Sequence, residues 1–136
     1  MKIREIAETK RKAKEWFASY TADYDMEDPK IALKAVHTYH VAELCQTIAE
    51  SLALNEVECM AAWLSGLLHD VGRFEQIRRF NTFSDADSID HALLSTEILF
   101  GTKEDASCGR IRQVILDPSW DIYLYKAIKY HSAYRL

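Results

Sequence analysis

A chain of 136 residues with 49% hydrophobic content, 4 Gly and 2 Pro suits one compact all-α domain and excludes sandwiches and barrels, which need more turn residues. A formal net charge of −4 excludes a general electrostatic attraction to nucleic acid or to an anionic membrane, so a phosphate-bearing ligand would have to be held locally. No stretch approaches about 18 consecutive apolar residues and the N-terminus lacks an apolar signal core, which leads us to expect a cytoplasmic protein with no membrane partner.

The pattern predicts a first helix from about Ile3 to Tyr20, with Ile3, Ile6, Ala7, Ala13, Trp16, Phe17 and Tyr20 on one side and the basic run KRKAK on a solvated face. An acidic break follows, and Pro29 opens a second helix running to about Leu52. At about 100° per residue, Leu33, His37, Val41, Leu44 and Ile48 form its apolar stripe, with His40 at the margin in a surface or supporting role. A third helix starts at Asn55, where Glu58 can complete a capping box, and runs to the adjacent pair His69 and Asp70. Ala62, Ser65 and Gly66 precede the pair; a helical glycine costs about 1 kcal/mol, and close approach by another helix would compensate.

After the pair, GRFEQIRRF predicts a short helical turn and NTFSDADS a polar loop. Asp87 or Ser88 can cap a helix that ends at Gly101. A weaker helix over SCGRIRQVIL and a last one over DIYLYKAIKYH complete the chain. Trp63, Phe74, Phe80 and Phe83 read as core aromatics. Cys45, Cys59 and Cys108 stand outside any metal-binding or redox spacing and read as reduced thiols.

All five histidines, His37, His40, His69, His91 and His131, fall on predicted helices. Imidazole with carboxylate suits Mn, Fe, Ni, Co or Zn better than Ca or Mg alone. An apolar-face histidine, a small-residue helix ending in His-Asp-x-Gly-Arg and two further helix-borne histidines form a combination that independent structural histidines do not readily produce.

Three stretches carry a family resemblance: HTYHVAELC, LLHDVGR, and DHALLSTEIL with AIKYH. The chain resembles the HD-domain metal-dependent phosphohydrolases. The resemblance implies an all-helical core and hydrolysis of a phosphate ester of a nucleotide or other small phosphorylated molecule, with one or two divalent ions (Mn, Fe, Ni, Co, Zn or Mg) per site. Residue by residue, it implies metal ligation by His37, His69 and Asp70. It gives His91 and His131 either a second ion or a phosphate pocket. Asp70 would also orient the attacking water, and His91 and His131, if not holding an ion, would stabilise charge on the phosphoryl group. Arg73 would reach a phosphate oxygen by a forked contact, or else complement the end of the preceding helix. For Glu75 the open alternatives are support of a ligand histidine and pairing with Arg78 or Arg79.

The chain departs from the family in one ligand. The last aspartate would follow AIKYH, whereas Asp105, Asp117 and Asp121 all precede His131. We therefore expect a domain lacking C-terminal helices, with exposed apolar surface or self-association as a consequence. Closure of the site by water or a substitute, and weak metal binding, stay open. The incomplete ligand set also leaves open a non-catalytic module that binds a nucleotide or a protein. The absence of GYP after His131 argues against cyclic-dinucleotide phosphodiesterases, and the absence of an ED pair after the HD argues against alarmone hydrolases.

Overall fold

The computed structural model describes residues 2–105 and 109–131, and every regular element among them is helical. Cys108 and the segment after His131 lie outside the described residues. Chain packing divides the protein into two compact units, residues 1–67 and 68–136. No helix of the described residues is long and apolar enough to cross a membrane.

The first unit is built from α1 (Ile3–Ala22), α2 (Pro29–Ser51) and α3 (Glu56–Leu68), whose last residue touches the boundary. Asp28 caps α2 through Lys30 N–H, and Pro29 occupies its first turn. Asn55 and Glu58 form the expected reciprocal box: Glu58 N–H donates to Asn55 Oδ1 at 2.8 Å, and Asn55 N–H to Glu58 Oε1 at 3.2 Å. Only the C-terminal half of the α1 stripe is buried, at Ala13, Trp16, Phe17 and Tyr20.

The face of α2 differs from the expected one. Leu33, Leu44 and Ile48 are 69%, 59% and 58% exposed, and His37 and His40 are exposed with them. The buried stripe is Ile31, Ala35, Thr38, Ala42 and Ala49. Close approach decides it: a Cβ on Gly66 would stand 2.8 Å from Ala42 Cα, so α2 and α3 cross on their smallest residues and the large side chains turn outward. Gly66 thus has the role anticipated for it. Trp63, buried beside this crossing, donates its indole N–H to Glu43 Oε1 at 3.1 Å.

The described residues of the second unit form α4 (Val71–Phe80), α5 (His91–Phe100), α6 (Ile111–Val114), a 3-10 turn (Pro118–Trp120) and α7 (Asp121–Tyr130). The anticipated short turn after the His-Asp pair is thus a helix of 10 residues. It stops at Asn81, which adopts the left-handed conformation that its short polar side chain tolerates. Asp90, rather than Asp87 or Ser88, caps α5 by accepting from Ala92 and Leu93 N–H. Phe74, Leu99, Leu124 and Ile128 are fully buried, each contributing about 1.5–3 kcal/mol relative to exposure. Phe80 and Phe83 are 44% and 37% exposed, against the expectation that they are core. On and before α7, Leu116, Ile122, Tyr123 and Tyr130 are also exposed.

Candidate metal centre

His69 and Asp70 lie in the turn between α3 and α4. On a continuous helix two neighbours diverge by about 100°. Here Asp70 leaves the helical region (φ −117, ψ 21), and the two side chains converge, with His69 Nε2 3.2 Å from Asp70 Oδ2.

Asp70 stands at the position where an aspartate ordinarily caps the following helix, yet its carboxylate makes no capping bond to α4. Ser95 of α5 supplies an acceptor instead: Gly72 N–H donates to Ser95 Oγ at 2.8 Å, and Ser95 Oγ–H donates to His91 O at 2.8 Å. A Cβ on Gly72 would lie 2.7 Å from His91 O and from Ser95 N, so only glycine allows this approach. One contact thereby frees the Asp70 carboxylate from capping and draws the start of α4 against the first turn of α5, where His91 projects.

Three imidazoles then meet one carboxylate. Asp70 Oδ1 is 3.3 Å from His91 Nε2 and 3.2 Å from His131 Nε2, and the two histidine Nε2 atoms are 3.0 Å apart. The His69 and His131 rings stand edge to face, with centroids 4.9 Å apart. Asp70 and His91 are buried, whereas His131 forms the exposed rim.

The remaining ring nitrogens are engaged from behind. His131 Nδ1 donates to Ile128 O at 2.6 Å, and His91 Nδ1 lies 2.7 Å from Asp85 Oδ2. With protons on those Nδ1 atoms, the Nε2 lone pairs face inward, the usual arrangement of metal-ligating histidines. Atoms that share a first-row divalent ion at about 2.0–2.2 Å stand about 3.0–3.5 Å apart, the range observed among these Nε2 and carboxylate atoms. Ligand atoms of His69, Asp70 and His131 all lie within 4.8 Å of one another. The donor set therefore fits a first-row divalent ion, and its nitrogen content disfavours Ca and Mg.

Burial would raise the Asp70 carboxyl, but in the metal-free cluster, with protons rather than an ion on the facing Nε2 atoms, hydrogen bonding from His131, His69 and His91 overrides it and holds the group far below the usual carboxylate range. For His131, burial pulls the imidazole down while Asp70 and the Ile128 carbonyl push it up, and the net direction is upward.

His37 lies on α2 in the first unit, whereas His69, Asp70, His91 and His131 are all drawn from the second. Arg73 is engaged with its own chain: Nη1 donates to Gln76 Oε1, Phe83 O and Asp85 Oδ1 at 2.9, 2.6 and 3.0 Å. Glu75 pairs with Arg78 and Arg79. Sequence reasoning missed Asp85, Gln76 and Ser95. The i, i+4 spacing of His91 and Ser95 puts them on one helix face but carries no sign of the Gly72 contact, and Asp85 lies in a polar loop.

Helices around a histidine and aspartate cluster define an all-α protein with a candidate metal centre. The sequence matches the HD domain family over residues 35–132, through both units, and the chain belongs to that family. It is similar to 3'3'-cGAMP-specific phosphodiesterase 1 of Vibrio cholerae, with 44% identity over 46 residues, which are 34% of this chain and 11% of that protein. The matched stretch thus spans about a tenth of that relative's length. No solved structure matches the chain.

Proposed function

We propose that the chain is a metal-dependent phosphohydrolase acting on a phosphate ester of a nucleotide or another small phosphorylated molecule. The observation that carries this reading is the convergence of His69, His91 and His131 Nε2 on the Asp70 carboxylate at 3.2–3.3 Å. Membership of the HD domain family supports it, as does the short similarity to a protein named 3'3'-cGAMP-specific phosphodiesterase 1, which bears on phosphoester hydrolysis and leaves the substrate open.

His69, Asp70, His91 and His131 would hold the metal, and the family resemblance adds His37. A bound divalent ion supplies a nucleophile from water near neutral pH and compensates charge on a phosphate oxygen. Asp70 stays ionised throughout and orients the attacking water. Where His131 at the exposed rim does not hold an ion, its imidazole, raised towards protonation, would instead donate a hydrogen bond from Nε2 to a phosphate oxygen. Arg73 Nη1 serves three acceptors of the chain, so a contact of Arg73 with the phosphate would use its other N–H groups.

The test is hydrolysis by the full chain, loaded in turn with Mn, Fe, Co, Ni and Zn. Substrates are bis(p-nitrophenyl) phosphate, nucleoside monophosphates and a cyclic dinucleotide. Turnover that is lost in Asp70→Asn supports the reading. Tight metal binding with no turnover on any substrate would favour a non-catalytic binding module instead.

A further inference from the structure

Behind the histidine cluster, the loop between α4 and α5 carries a carboxylate with an unusually complete set of partners. Asp85 Oδ1 accepts from Gln76 Nε2 at 3.0 Å and from Arg73 Nη1 at 3.0 Å, while Oδ2 faces His91 Nδ1 at 2.7 Å. His91 N–H also approaches Oδ2, at 3.4 Å.

Gln76 is wholly buried, and its amide is held in addition by Ser88 Oγ at 2.9 Å and Ile89 O at 3.3 Å. Arg73 fixes the same loop through Phe83 O and lies over the Phe83 ring at 5.6 Å. A carboxylate on a surface loop ordinarily moves with its loop; this one is clamped from the buried side by two donors, which leaves one oxygen directed at one ring nitrogen. Asp85, Asp90 and His91 have ligand atoms close enough to suggest a second ion site. Asp90 is occupied as the α5 cap and Asp85 by Gln76, Arg73 and His91, so the cluster is already satisfied by donors of the chain.

We propose that Asp85 is a positioning residue: clamped by Gln76 and Arg73, it accepts the Nδ1–H of His91 and so keeps Nε2 of that ring turned towards Asp70 and His131 as the nitrogen available to an ion. Asp85 touches neither metal nor substrate and acts only through the ring it orients. Carboxylates in such positions change metal affinity by about 10- to 100-fold when removed. The inference rests on the metal-centre reading above, but its first readout is independent of metal and of activity.

Asp85→Asn preserves shape and discriminates. Gln76 and Arg73 both donate to Oδ1, so the amide oxygen must face them and the NH2 must face His91. An NH2 donates to Nδ1 rather than accepting from it, and the ring must then carry its proton on Nε2. The experiment uses the histidine-labelled 136-residue chain, metal-free, with Nδ1 and Nε2 protonation read by long-range 1H–15N spectra, followed by titration with Co.

The expected result is a protonated His91 Nδ1 in the unsubstituted chain, loss of that proton in Asp85→Asn, and Co affinity lowered tenfold or more with an unchanged circular dichroism spectrum. A bare His91 Nδ1 in the unsubstituted chain overturns the proposal, and this measurement needs no folded variant. Retention of the Nδ1 proton or of full Co affinity in folded Asp85→Asn overturns it as well. Should the unsubstituted chain bind no Co, the metal-centre reading fails, and the Nδ1 measurement still decides what Asp85 does.

Discussion

Ser95 accepts the amide of Gly72 at 2.8 Å and is buried completely, so a hydroxyl on α5 takes over a capping bond that Asp70, at the start of α4, does not make. Removing the hydroxyl leaves the Gly72 N–H buried with no acceptor, a loss of about 1–3 kcal/mol. Ser95→Ala is therefore expected to lower the free energy of unfolding by that amount, read in urea denaturation as a lower midpoint at an unchanged m value. It is also expected to weaken metal binding, since the freed amide competes for the Asp70 carboxylate. A variant with unchanged stability and unchanged affinity would show that Ser95 is not what releases Asp70.

Gly72→Ala has two opposed effects. Alanine favours a helix over glycine by about 1 kcal/mol, but its Cβ would meet backbone atoms of α5 at 2.7 Å, and backbone cannot step aside as a side chain can. The overlap wins, with a net loss of about 1–3 kcal/mol and disruption of the His91 position. Thermal unfolding of the metal-free variant checks this.

The two faces of α2 make a paired prediction. Leu44 is exposed and Ala42 is fully buried against Gly66. Leu44→Lys should change stability by no more than about 0.5 kcal/mol, whereas Ala42→Leu should cost about 1–3 kcal/mol. The opposite order would restore the stripe expected from the hydrophobic pattern.

For the metal-free chain, stability should have a maximum in mildly acidic solution. Asp70 is held below its ordinary value of about 3.9, so its contribution is present above that value and is lost as pH falls through and below it. His131 is raised above its ordinary value of about 6.5, so its contribution is complete below that value and lost as pH rises through the folded value. Between the two, both contribute. Adding metal should move the maximum to higher pH, because ligation requires deprotonated Nε2 atoms. Denaturation across pH 3 to 9, with and without Zn, measures both directions, and Asp70→Asn should flatten the acid limb.

Much of the helical layout was readable from the sequence because caps and periodicity are local. Pro29, the Asn55 and Glu58 box and Gly101 act within a turn of where they stand. The buried face of α2 was not readable by hydrophobicity, since burial there follows how closely Ala42 lets Gly66 approach, and this depends on two helices at once. The His-Asp pair, His91 and His131 were visible as residue types that a core does not ordinarily spend. Asp85, Gln76 and Ser95 were not, because their roles arise from contacts 6 to 23 residues away in sequence.

Metal content of the chain, purified without a histidine tag and supplied with Mn, Fe, Co, Ni or Zn, decides whether the His69, Asp70, His91 and His131 cluster holds an ion. One or two ions per chain, lost in Asp70→Asn and in His69→Ala, is the predicted result, and His37→Ala in the same series decides whether that residue joins the ligand set. A chain that retains no metal from any of these supplies, while folded, would contradict the account.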